Sequence, residues 1–385
     1  MRRFARAVSA ALLLCAALTG APAAAASSPV PVALSAGAVP DQYIVTLKHR
    51  VEPRELAGRL GISPRFTYGK VAHGFAAVLS PRQVEVLRRV PGVLAIEQDG
   101  VVAVEGAARP RGSASSWGLS RINQRALPLT GRFEVAHTGA GVTAYVLDSG
   151  IDFAHEEFRG RAFRGFDAVG DGRNGQDCHG HGTHVAGTVG GSEHGVARGS
   201  TLVSVRVLGC DGFGTWSGFL AGVDWVAQDA VQPAVLNGSL GGPHSAVVDA
   251  AVNSLAAWGV LPVLAAGNSH EDACGVSPAG ARLALTVGAT DIEDRQAGFS
   301  NHGPCLAMFA PGVGIVSAGL GGGSATMSGT SMAGPHVTGI AVLLKQAEPR
   351  ATPAEIKRRL AEWATPDALT VSSTSPNLLA YTAGL

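Results

Sequence analysis

A glycine-rich loop, Gly319 to Gly323, leads into Gly329-Thr-Ser-Met-Ala-Gly-Pro-His336, and this run constrains the fold more than any other. Beyond it, Val337, Ile340, Ala341 and Leu344 recur at helical spacing, predicting a helix whose apolar stripe must find a core. Pro335 reads as part of the first helical turn, where its missing N–H costs nothing. Ser331 is thereby presented at a helix start, beside unpaired backbone N–H groups and the positive end of the helix dipole. Negative charge developing on an oxygen would be stabilised there.

Two upstream segments complement that serine. Val142-Thr-Ala-Tyr-Val-Leu147 reads as a buried strand closed by Asp148-Ser149-Gly150. In parallel α/β sheets reactive groups gather at the carboxyl ends of strands. His179-Gly-His-Gly-Thr-His184 follows, with Gly180 and Gly182 letting the backbone crowd another element and leaving His181 at a helix start. An aspartate orienting a histidine, a histidine taking a hydroxyl proton and a serine attacking a carbonyl make one nucleophilic unit. Singly, each block has a plainer reading: a serine N-cap, an Asp-Ser-Gly turn, an ordinary loop at Ala265-Ala-Gly-Asn268. His179, His181 and His184 have a spacing seen at zinc sites, although no nearby carboxylate or cysteine pattern completes one.

Together the blocks resemble the subtilisin-type serine peptidases, in the proteinase K and aqualysin branch. Asp148-Ser-Gly, His181-Gly-Thr-His and Gly329-Thr-Ser-Met-Ala match the family motifs, and Ala265-Ala-Gly-Asn268 resembles its oxyanion-hole segment. The order Asp, His, Ser is itself the subtilisin order. The resemblance runs from about Trp117 to Ser375-Pro-Asn-Leu-Leu379 and implies a three-layer α/β fold with a mostly parallel sheet. It implies that Asn268 and the backbone N–H of Ser331 face the oxyanion, an effect of about 3–4 kcal/mol whose size is known from this family. His184 reads as a packed helix residue and His179 as a rim residue that perturbs His181.

Ser239-Leu240-Gly241-Gly242 and Ala265-Ala266-Gly267 resemble the two walls of the primary specificity pocket. Gly212-Phe213-Gly214 resembles the edge strand that pairs with an extended peptide, a backbone-driven mode that favours broad specificity. Each glycine segment could equally be a turn. Small pocket residues imply acceptance of large apolar or aromatic side chains, which His270 and Glu271 near the mouth would modify. Asn237-Gly-Ser239 is formally a glycosylation sequon, but it falls on a buried strand.

Ahead of this lie two processing segments. Arg2, Arg3 and Arg6 precede the apolar run Val8 to Leu18 and the small residues ending at Ala26. That is a secretory signal over residues 1–26, too short to span a membrane. Residues 27–106 are expected to be a propeptide with its core at 41–104. Strands are expected at Gln42–Leu47, Gly74–Leu79, Val93–Ile96 and Val101–Val104, and helices at Pro53–Leu60 and, capped by Ser80, Pro81–Val90. This is a ferredoxin-like α+β pattern resembling the family's inhibitory propeptide, with an unrelated accessory domain as the alternative. The resemblance implies a folding chaperone whose last strand lies in the cleft until cut away. Glu105 to Ser116 is the expected cleavage zone, and residues 107–385 the peptidase domain, with no accessory module after Asn377.

At 385 residues and 46% hydrophobic the chain can bury a substantial core. A net charge of +1 recommends neither nucleic acid nor an anionic membrane as partner, and no second hydrophobic span anchors the chain. A released, extracellular monomer is expected, with protein and peptide substrates and its own propeptide as partners. Once Cys15 leaves with the signal, Cys178, Cys210, Cys274 and Cys305 allow three pairings. The aqualysin resemblance favours Cys178–Cys210 and Cys274–Cys305.

The chemistry needs no cofactor. Structural calcium is in doubt, because Ser120, Asn123 and Ala307 stand where such relatives carry acidic residues, and a hard cation needs anionic oxygens. Asp167, Asp171, Asn174 and Asp177 make either a local cation site or a solvated acidic loop.

Overall fold

The structure, a computed structural model, describes residues 28–104, 107–109 and 116–385. The expected signal segment and most of the expected cleavage zone lie outside the described residues.

The peptidase part is built on a nine-stranded sheet. Across it the strands are Thr365–Pro366, Leu378–Leu379, Met308–Pro311, Leu285–Thr290, Leu261–Ala265, Ala234–Gly238, Thr143–Asp148, Thr201–Arg206 and Ala162–Asp167. Every neighbouring pair is parallel except the first, which is antiparallel. Thr143–Asp148 shows why its sequence reads as continuously apolar. Ala144 and Val146 join the core under helices His181–Gly190 and Thr330–Ala347, while Tyr145 and Leu147 join the opposite core under Trp216–Asp229 and Ala246–Ala257. A strand covered on both faces has no polar side to show. The result is a three-layer α/β fold.

The Thr330–Ala347 helix corrects two readings. It is buried all round from Thr330 to Lys345, so the expected stripe is a central core helix. Pro335 lies inside the helix and not in its first turn. Lacking an N–H, it leaves the Ser331 carbonyl without its intrahelical donor, and the Ser239 hydroxyl donates to that carbonyl at 3.0 Å.

The propeptide is a β-α-β-β-α-β unit with sheet order Val93–Val104, Ala38–Leu47, Gly74–Val78, Phe66–Tyr68. This is the ferredoxin-like arrangement, but two details of its expected strands differ. Phe66–Tyr68 is an additional strand, and Val93–Val104 is one continuous strand of 12 residues where two were expected. Asp99 and Gly100 are poor strand formers, yet each has a reason to be there. The Asp99 carboxylate accepts the Ser217 N–H at 3.0 Å at the start of the Trp216–Asp229 helix. A Cβ on Gly100 would press on the Trp216 ring at 2.9 Å. The second helix is Pro81–Leu87, closing before the expected Val90, and Ser80 and Gln83 form a capping box at its start.

That long strand joins the two parts. Its far end pairs antiparallel with Phe213–Thr215 and with Leu240–Pro243, so the propeptide sheet continues into the peptidase. Further contacts fix the docking. Asp224 accepts backbone N–H bonds from Gly69, Lys70 and Val71 at 2.7 to 3.1 Å, and the Tyr68 hydroxyl donates to Ser217 O at 3.1 Å.

Candidate active site

Asp148 ends its strand at the carboxyl edge of the sheet and is fully buried. Its carboxylate lies 2.8 and 3.0 Å from Nδ1 of His181, and Oδ1 also accepts the Ser149 N–H at 2.7 Å. One hydrogen bond and one close backbone approach bring these residues together. The N–H of Gly182 donates to the Ser149 hydroxyl at 3.0 Å, and a Cβ on Gly182 would collide with the Gly150 carbonyl.

Gly180, at φ +101°, precedes the His181 helix and offers no side-chain cap. Asp177 supplies it instead: Oδ1 accepts from Gly180 N and the Ser149 hydroxyl, and Oδ2 from the Thr183 N–H and hydroxyl. Asp177 was thus read as a candidate cation ligand but acts as a buried brace. The acidic residue just ahead of a glycine-led helix was the available signal.

Ser331 is buried in the first turn of the Thr330–Ala347 helix. Its hydroxyl donates to the Ser239 carbonyl at 3.0 Å, reciprocating the bond from the Ser239 hydroxyl. Asn237 donates to the same Ser239 hydroxyl at 2.8 Å and accepts from Thr338 at 2.7 Å, so the sequon asparagine is buried and engaged. Asn268 is tied to the serine through Thr330: its Oδ1 accepts the Thr330 N–H at 2.9 Å and the Thr330 hydroxyl at 3.0 Å. With the oxygen occupied, the amide nitrogen is the end left to donate elsewhere. Thr330 escaped the sequence reading because its partner lies 62 residues away.

Gly212-Phe213-Gly214 and Leu240-Gly241 flank the propeptide strand as its two neighbours: Val102 pairs with Gly214, and Ala103 with both Phe213 and Gly241. The N–H of Val104 donates to Gly212 O at 3.1 Å. Beside Gly241 opens a cavity of about 500 Å³, lined also by Ala265, Ala266, Gly267, Ser269 and Glu271. His270 is not among its lining residues.

Cys178 is bridged to Cys210 and Cys274 to Cys305. His184 turns away from His181 toward the carbonyls of Ile315 and Ala325, and burial holds its pKa down to about 3. The three histidines therefore do not converge on one point. The rim reading of His179 fits its half-buried ring, 6.3 Å from that of His181.

The acidic loop is exposed over residues 171–174, and its carboxylates are bound to a protein cation. Asp167 and Asp171 grip the guanidinium of the fully buried Arg206 at 2.6 to 3.1 Å, and that charge holds the Asp171 carboxyl down to about 2. Asn174 is exposed and donates to the nearby Gly172 carbonyl. Ser120 accepts the Gly131 N–H at 3.0 Å and Gln124 the Thr130 N–H at 2.8 Å, while the buried Arg121 donates to the Gln124 carbonyl at 2.6 Å and pairs with Asp294. Among the described residues two clusters bring metal-ligating atoms together. One holds the bridged Cys178 and Cys210 with Asp171, already on Arg206; in the other Glu157 is engaged by His194 and by the Glu193 N–H.

A subtilase-family model matches residues 139–378, and a peptidase inhibitor I9 model matches residues 63–105. An extracellular serine proteinase of Thermus sp. (strain Rt41A) is 49% identical over 318 residues, covering 82% of this chain and 77% of that protein. Alkaline serine exoprotease A of Vibrio alginolyticus is 45% identical, covering 85% of this chain and 61% of that one. The crystal structure of a cold adapted subtilisin-like serine proteinase superposes with a TM-score of 0.68 at 48% identity, covering 70% of this chain and 99% of the other. With the family model spanning most of the chain and an inhibitor segment docked on its cleft, the protein belongs to the subtilase family of serine endopeptidases and carries its own I9-type propeptide.

Proposed function

We propose that the chain is a secreted zymogen that cuts itself free of its propeptide and then hydrolyses proteins by an acyl-enzyme route. Ser331 is the nucleophile, His181 the general base and Asp148 the group that holds the imidazole tautomer and stabilises the imidazolium. Attack requires the Ser331 hydroxyl to leave the Ser239 carbonyl and turn to His181. The side-chain amide of Asn268 and the Ser331 N–H receive the oxyanion. No metal enters this chemistry. The cavity beside Gly241 takes large apolar or aromatic side chains ahead of the cut, with Glu271 on its wall disfavouring acidic ones. The mature enzyme acts outside the cell, in line with the description of the Thermus relative as extracellular, and works as a monomer.

One observation carries this reading: a peptide strand of the chain itself lies antiparallel between Phe213–Thr215 and Leu240–Pro243. Pairings in two separate sheets, one on each side, support a maturation cut between Val104 and Ala107. Val104 pairs with Leu240, next to the Ser239 that bonds Ser331, while Ala107 pairs with Ser328, three residues ahead of Ser331. Only three peptide bonds lie between Val104 and Ala107.

Two experiments test it. Ser331→Ala is expected to accumulate as an uncut precursor, while the wild-type enzyme begins at residue 105, 106 or 107; normal maturation of the variant, or a start elsewhere, would refute the assignment. Casein hydrolysis is expected to stop with a fluorophosphonate and to survive EDTA.

A further inference from the structure

We propose that Asn301 is a positioning residue for the oxyanion donor Asn268, an inference that rests on the role given to Asn268 above. The two side chains are not hydrogen-bonded to each other. Asn301 acts instead on the backbone either side of Asn268. Its Nδ2 donates to Ala266 O at 2.9 Å and its own backbone N–H to Gly267 O at 2.9 Å. Its Oδ1 accepts the N–H groups of Ser269 and Glu271, each at 3.0 Å. One residue therefore grips the turn at four points, two before Asn268 and two after it.

Asn301 suits this task by its chemistry. It is 1% exposed, so every bond it fails to make would leave a buried polar group unpaired. Both ends of the amide are used, the nitrogen as donor to a carbonyl and the oxygen as acceptor of two N–H groups, so a single side chain reaches both sides of the turn from two separate atoms. The turn has adapted to it in return. Gly267 stands at φ +101°, and a Cβ there would run into the Asn301 amide nitrogen.

The remaining freedom of Asn268 is rotation of its own amide, and Thr330 removes that by holding Oδ1. Asn301 fixes where the donor sits, and Thr330 fixes which way it faces. Preorganisation of this kind is worth most in the transition state, because the donor need not reorganise as charge develops.

The test is a double-mutant cycle on the mature enzyme, with variants matured in trans by a trace of wild type if self-cutting is slow. Asn301→Ala is expected to lower kcat about tenfold or more while KM stays within about twofold. In an Asn268→Ala background the same change is expected to alter kcat less than about twofold, because the donor it positions is gone. Asn301→Asp keeps both accepted N–H bonds, loses the donor to Ala266 and adds a buried charge, and is expected to be slower than Asn301→Ala. A merely structural role would lower the melting temperature and multiply into kcat equally in both backgrounds, which would overturn the proposal. Should Asn301→Ala fail to fold, Asn301→Ser is carried through the same cycle. If Asn268→Ala alone leaves kcat unchanged, the oxyanion assignment is what has failed, and the proposal falls with it.

Discussion

Ser331 and Ser239 hold each other through two hydrogen bonds, and Pro335 is what frees one of the acceptors. None of this shows in the motif around Ser331, which is legible as a motif but silent about its partners. The same limit applies to Arg206. In the sequence it is one arginine on an apolar strand; in the fold it sits beside Asp148 in the sheet register and binds the Ser149 carbonyl, Asp167 and Asp171. Motif spacing reports local chemistry, whereas these contacts join residues 35 to 57 positions apart. Arg206→Gln leaves two carboxylates facing each other without their cation. A loss of about 1–3 kcal/mol is expected, because the buried side chain forfeits its charged hydrogen bonds while the exposed Asp171 can return to water. Denaturant unfolding of the Ser331→Ala precursor measures it, and a change below about 1 kcal/mol would show the arginine to be dispensable.

At the scale of elements, the sequence reading found both propeptide helices but not Trp216–Asp229 or Ala246–Ala257, and it divided the Val93–Val104 strand at residues 97–100. Propensity gave no other choice, because the compensation comes from the other half of the molecule. Phe66–Tyr68 was missed since three residues carry no period. The Asp99 site also has a titration consequence. Burial raises its carboxyl pKa above the ordinary 3.8, with Ser217 and Gly100 N–H groups and Arg65 opposing that rise. The docked state therefore binds the proton more tightly than the open chain. This share of stability is fully present below about 3.8 and is lost as pH rises through the raised value. Asp99→Asn in the Ser331→Ala precursor is expected to gain melting temperature relative to its parent between about pH 4 and about pH 7. A constant difference across that range would remove Asp99 from the pH response.

For the molecule as a whole, the three-layer architecture and the order of its parts were legible through the family resemblance of the motif blocks, with strand burial and helix periodicity locating only single elements. The resemblance also implied a propeptide strand lying in the cleft; its unbroken continuity with the propeptide sheet across Asp99-Gly100 was not legible, since it depends on contacts with parts of the chain far away.

That shared ladder has a kinetic outcome. The bonds that seat the last propeptide strand do not depend on the peptide bond beyond it, so cutting alone leaves the cleft plugged. Liberation waits until another, already open, molecule digests the plug, and each one freed can free more. Activity from a purified precursor is expected to appear after a lag, rise steeply, and lose the lag when seeded with a trace of mature enzyme. A first-order onset indifferent to seeding would mean that the plug departs unaided.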